Sequence, residues 1–147
     1  MRLIKWICIS RINYAYRPDT NALIQSVPSR SRYHAVWKSL VDGRNTLCVS
    51  NEIIMEYLEI LQRLTDHETA EAVIKTIINS QFVEFITPFY NFELIPQDPD
   101  DNKFVDCAIS ANARYIVTND HHFDVLKNIY YPPIDVINLE DFMKIIS

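Results

Sequence analysis

Carboxylates recur in this chain beside small polar residues: Asp19-Thr20-Asn21, Glu56, Asp98-Pro99-Asp100-Asp101-Asn102 and Thr118-Asn119-Asp120. Several carboxylates in one place repel one another unless a cation holds them. Oxygen ligands of this kind suit Mg²⁺ and Mn²⁺, which bind through a few carboxylates and retain water. Such ions lower the pKa of a bound water, polarise a phosphoryl oxygen and stabilise the leaving oxygen of an in-line displacement. The acidic set therefore points to metal-dependent phosphodiester hydrolysis that needs no Cys or His nucleophile. His121 and His122 follow Asp120 but read as exposed helix-start residues. Ser/His/Asp catalysis has no supporting local motif. A single glycine in the chain excludes a glycine-rich phosphate loop, and with it the Walker and Rossmann readings.

These acids are useful only if the fold gathers them, and the chain alternates strand and helix patterns. Leu3–Ile9 is strand-like, and Tyr33–Val41 reads as a helix ended by Gly43. Thr46–Val49 is a short β-favouring run, and Ser50 can cap a helix over about Asn51–Leu64. Thr65-Asp66-His67-Glu68 has the pattern of a capping box, with a third helix to about Asn79. Phe82–Ile86, Tyr115–Thr118 and Ile134–Ile137 read as strands. Helices are expected over Lys103–Ala111, over Asp120–Lys127 and from an Asn138 cap to Ile146. Alternation of this kind implies an α/β fold whose parallel sheet is covered on both faces. In such sheets ligands bind outside the carboxyl ends of the strands. Asp120 follows a strand, Glu56 lies on the helix leaving another, and Asp101 stands at a helix start, so the three are expected at one edge.

Helix phase selects among neighbouring acids. At about 100° per residue, the apolar stripe of the Asn51–Leu64 helix centres near Tyr57 and Leu61. Glu59 lies about opposite that stripe and Glu52 nearly so, whereas Glu56 is turned toward it by about 40° relative to Glu52. In the next acidic segment Asp101 precedes Phe104, Val105 and Ala108 by three, four and seven residues and shares their inward face. Asp106 is expected to point away.

Composition sets the bounds. At 147 residues and 48% apolar content the chain is expected to be one globular domain. No apolar run reaches the roughly 20 residues of a membrane span, and the start lacks a signal-peptide pattern. Three widely spaced cysteines fit buried free thiols in a reducing cytoplasm. The net charge of −5 is unevenly placed: residues 1–44 sum to +6 and residues 45–147 to −11. Arg30, Arg32, Lys38 and Arg44 are therefore candidates for phosphate contacts, and Phe89, Tyr90 and Phe92 for base stacking or for packing on a protein partner.

Four ordered motifs carry a family resemblance: DTN (19–21), SNEIIMEY (50–57), DPDDNKFVDCAI (98–109) and ARYIVTND (113–120). Together they resemble the PIN domain, closest to the VapC-like ribonucleases that act as toxins of toxin–antitoxin pairs. The resemblance implies a three-layer α/β/α domain with a central, mainly parallel sheet. It implies Mg²⁺- or Mn²⁺-dependent cleavage of RNA, frequent homodimers, and inhibition by a small antitoxin protein. Carried over by motif, Asp19, Glu56, Asp101 and Asp120 are the expected catalytic, metal-binding acids. Asn21, Asp98 and Thr118 are expected to support them. One departure stands out. In the family an apolar strand runs into the first Asp, whereas here Tyr14-Ala15-Tyr16-Arg17-Pro18 precedes Asp19. Proline cannot donate to a sheet ladder. Residues 1–18 are therefore read as an atypical N-terminal extension or a displaced first strand, and residues 19–147 as a single PIN-like nuclease domain. The same departure motivates an alternative, a catalytically impaired RNA- or antitoxin-binding module. A phosphoaspartyl enzyme built on Asp19 is disfavoured because position 21 is Asn rather than a second acid.

Overall fold

A computed structural model describes residues 4–8, 26–88, 92–94, 102–118, 125–127 and 135–146. Five parallel strands form one sheet: β1 (Ile4–Cys8), β2 (Asn45–Val49), β3 (Val83–Phe85), β4 (Tyr115–Val117) and β5 (Asp135–Ile137), in the order β3-β2-β1-β4-β5. Among the described residues five helices accompany them: α1 (His34–Val41), α2 (Asn51–Leu64), α3 (His67–Asn79), α4 (Asn102–Ser110) and α5 (Leu139–Ile146). Consecutive buried residues mark both faces of the sheet as covered, as in Leu47-Cys48-Val49 of β2 and Tyr115-Ile116-Val117 of β4. The helices form two packed groups, α1 with α5 and α2 with α3 and α4. The parallel sheet covered on both faces is the one expected from the alternating pattern, and the α/β/α layering is the one that the resemblance implied.

The strand order has one functional consequence. The chain runs outward from β1 to β2 and β3, then returns to the other side of β1 for β4 and β5. The order therefore reverses between β1 and β4, and the crevice at a switch point of this kind is the usual ligand site of an open parallel sheet. Residues 4–8 supply the central strand, with Trp6 opposite both Leu47 of β2 and Tyr115 of β4. Ten residues, 9–18, separate the end of β1 from Asp19.

Local chemistry explains the element ends. At the close of α1, Gly43 adopts φ +76° and Arg44 N–H donates to the Ser39 carbonyl, a left-handed helix stop. A Cβ at Gly43 would come within 2.5 Å of the Phe82 ring, so the only glycine of the chain is required twice over, by φ and by space. Ser50 caps α2 through Ile53 N–H, as expected. The expected capping box at α3 does not form. Asp66, not Thr65, is the N-cap, accepting from Thr69 N–H at 2.7 Å and from the Thr69 hydroxyl at 3.0 Å. That Thr69 N–H bond is the main reason the Asp66 carboxyl is held below the usual carboxylate value. Thr65 is drawn the other way, its hydroxyl donating to Leu61 O at the end of α2. Asn138 caps α5 as expected, accepting from Asp141 N–H at 2.7 Å. Of the helix expected over Asp120–Lys127, residues 125–127 form a 3₁₀ turn and the rest lies outside the described residues.

Cys48 and Cys107 are buried thiols. Burial pushes the Cys107 thiol up to about 12, with Cys48 adding to the rise, which leaves an unreactive thiol. Among the described residues no helix is long and apolar enough to cross a membrane.

Candidate functional site

Glu56 is the described member of the expected acidic set, and it is buried at 6% exposure. The buried face of α2 comprises Ile53, Ile54, Tyr57, Ile60 and Leu61, with Glu56 among them. Ile60, one turn on and about 40° from Glu56 on the helical wheel, widens the stripe to the Glu56 side. Glu52 and Glu59 remain exposed, and Glu59 accepts from Arg63 at 2.7 Å. The selection of Glu56 among the three acids thus agrees with its burial.

What meets Glu56 was not expected. Lys103, in the first turn of α4, places Nζ 2.9 Å from Glu56 Oε1 with its side chain 22% exposed. The same ammonium lies 5.5 Å from the Phe104 ring centroid. The pair forms because α2 and α4 pack together and both begin at the carboxyl edge of the sheet, α2 directly after β2. A cue for Lys103 was available: it is the sole cation between Asp98 and Ile109.

Beside this pair opens a cleft of about 520 Å³, lined by Ser50–Glu52 after β2, Ile86–Pro88 after β3, Glu93, and Asn102, Lys103 and Asp106 of α4. Asp106 is a correction. Instead of pointing away it is buried at 5% exposure, and its Oδ1 accepts from Phe92 N–H at 3.0 Å. Helix phase assumed one open face on α4, but Phe104 to Ala108 are all buried, because α4 meets α2 on one side and three strands on another, while residue 92 reaches over the remainder. Phe92, considered above for base stacking, thus acts here through its backbone. The next residue, Glu93, holds φ 52°, a left-handed conformation unfavourable for a side chain of that size. Burial raises the Asp106 carboxyl above 3.8; the Phe92 N–H opposes the rise, and the Glu52 and Glu93 carboxylates add to it.

A pH dependence follows, with a definite sign. A carboxyl whose folded value lies above its unfolded one stabilises the fold while protonated and loses that contribution as pH rises through the folded value. Asp106→Asn keeps the oxygen acceptor for Phe92 and carries no charge. Its melting temperature is expected to match the wild type at pH below the usual carboxylate value, then to exceed it by a growing margin as pH rises through the raised value. A difference that is flat with pH would refute the buried-charge account.

Thr118 is buried at the end of β4, its N–H bonded to Ile137 O at 2.9 Å, so it extends the ladder at the switch-point edge. Asp19, Asn21, Asp98, Asp101 and Asp120 lie outside the described residues, as do His121, His122, Phe89 and Tyr90. Arg30, Arg32, Lys38 and Arg44 are exposed, and none of them lines the cleft. Arg32 pairs with Glu140 of α5 and lies over the Tyr33 ring, while Arg44 stands 3.8 Å from Asp42. These basic residues belong to the α1–α5 group, whereas Glu56 and Lys103 belong to α2 and α4.

Among the described residues no group of three His, Cys, Asp or Glu side chains could hold a metal ion. Glu56 fits the role of one ligand: its carboxylate is buried, offers hard oxygen donors, and is already in contact with a cationic group.

Comparison with curated proteins gives no match. A family model for the PIN domain matches residues 18–122, well over half the chain, beginning after β1 and spanning DTN, SNEIIMEY, DPDDNKFVDCAI and ARYIVTND. PIN domains are generally nucleases that use divalent metals. By this match the chain belongs to the PIN-domain family.

Proposed function

We propose that the protein is a divalent-metal-dependent endoribonuclease that hydrolyses RNA phosphodiester bonds. The observation that carries the reading is Glu56, a buried carboxylate facing a cation, on the PIN-family motif SNEIIMEY. Asp19, Glu56, Asp101 and Asp120 are assigned as the acids that hold Mg²⁺ or Mn²⁺, with Asn21, Asp98 and Thr118 orienting them. A bound ion of this kind supplies a water of lowered pKa and neutralises charge on the reacting phosphoryl group. The chain's own part is to hold its acids apart from bulk water and in fixed directions. Burial of Glu56 on α2 and the ladder bond at Thr118 both serve that end.

Within this reading the protein acts in the cytoplasm as the toxin of a toxin–antitoxin pair, as a homodimer blocked by a small antitoxin. Support for that role is the motif resemblance alone. The test of the nuclease reading is direct: purified protein with Mn²⁺ is expected to cleave RNA, EDTA to stop it, and Asp101→Asn to abolish it. Folded protein that neither cleaves RNA nor binds Mn²⁺ would sink the reading.

A second reading is favoured by one observation, the ten residues between the central strand and Asp19. If that spacing withholds Asp19 from the other acids, the protein is a catalytically impaired RNA- or antitoxin-binding module. It then binds RNA without turnover, and metal-dependent cleavage at catalytic rates excludes it.

A further inference from the structure

We infer that the Lys103 ammonium is a tethered counterion that occupies Glu56 in place of the divalent ion, and that loading the site displaces it into the adjoining cleft; this rests on the metal-dependent reading above. The geometry is a contact of 2.9 Å between Lys103 Nζ and Glu56 Oε1, with the two side chains 22% and 6% exposed. A buried carboxylate is costly without a positive partner. Lys103 supplies one from the same protein, so the fold needs no ion to keep Glu56 inside. An ammonium and a dication repel each other, and both cannot sit at the same carboxylate oxygen. An ion bound through Oε1 of Glu56 therefore has to move Lys103.

The residue type and its surroundings suit such a movement. Lysine is a compact charge on a flexible four-carbon stem, unlike the rigid fork of arginine. The stem rises from the first turn of α4 at the mouth of the cleft, where Glu52, Glu93 and Asp106 provide negative charge to receive it. The Phe104 ring, 5.5 Å from Nζ, gives the ammonium a cation-favouring face beside Glu56. Lys103 on this account is a positioning residue: it holds Glu56 before loading and sets how much ion is needed to load the site.

Calorimetric titration of the full chain with Mn²⁺ tests it. Lys103→Met keeps most of the stem and removes the charge, and is expected to bind Mn²⁺ about tenfold more tightly than the wild type, one decade in Kd. Equal or weaker binding by a folded Lys103→Met overturns the inference and leaves Lys103 a structural counterion only. A second measurement uses the wild type alone, so that it stands even if the variant fails to fold. Trace acetylation followed by mass spectrometry is expected to show Lys103 becoming more reactive on addition of Mn²⁺, the other lysines serving as internal controls. Unchanged reactivity in protein that binds Mn²⁺ overturns the inference while sparing the nuclease reading. Wild-type protein that binds no Mn²⁺ overturns both.

Discussion

Glu56→Gln is expected to lower RNA cleavage by roughly 10²–10³-fold, the range typical of removing one preorganised electrostatic contact from an active site. The substitution keeps the shape of the side chain and an oxygen that can accept from Lys103 Nζ, so the packing of α2 on α4 survives. What is lost is the negative charge. Lys103, with Glu56 gone as an ion-pair partner, can turn toward the carboxylates that line the same cleft. The stability cost is then on the order of 1–3 kcal/mol, a melting-temperature drop of a few degrees at this chain length. Glu59→Gln supplies the control. Glu59 is half exposed and its pair with Arg63 is of the i,i+4 surface type, worth at most about 0.5 kcal/mol. It is expected to leave cleavage unchanged. Rates measured with Mn²⁺ on one RNA, alongside melting curves for each variant, separate lost chemistry from lost fold. A folded Glu56→Gln that cleaves at the wild-type rate removes Glu56 from the site.

The contrast between Glu56 and Asp106 shows how far the sequence could be read. Both judgements used the same helical wheel. It served for α2, because that helix has one apolar stripe and one wet face, so an acid displaced toward the stripe is buried. It failed for α4, where five consecutive residues are buried and the second face is covered by a segment fourteen residues upstream. Periodicity reports how a helix meets its core, not what a loop later lays over it. Lys103 was missed for the same reason, since its partner lies on another helix. The pairing of Arg32 with Glu140, 108 residues away, likewise could not be anticipated from a local charge count. Strand and helix positions, by contrast, rest on local patterns, and most agree to within two residues. The capping box at α3 erred by one position, because Thr65 found a closer acceptor in the helix behind it. Residues 4–8 read as a strand from their own composition, but only their register against β2 and β4 places them at the centre of the sheet.

Phe104→Ala is expected to destabilise the fold by about 3–5 kcal/mol, the range found for removing a large aromatic side chain from a core. Phe104 is fully buried and among the largest such side chains of the described residues. It belongs to α4, which touches α2 and the three strands β1, β2 and β4, so the vacated space is enclosed by elements that cannot all move inward. At this chain length the loss corresponds to a fall in melting temperature of roughly 10–15 °C. The position gives the result a functional reading as well. Lys103 precedes Phe104 and its ammonium stands over the ring, while Asp106 of the same helix holds the Phe92 backbone next to Glu93, which lines the cleft. Loosening the first turn of α4 therefore perturbs the setting of Glu56 before it unfolds the domain. Mn²⁺ binding and RNA cleavage are expected to fall at temperatures where circular dichroism still reports a folded chain. Ile78→Ala, on the exposed side of α3, is expected to change neither. If Phe104→Ala lowered activity only in proportion to the unfolded fraction, α4 would be a scaffold for the core and not the element that tunes the site.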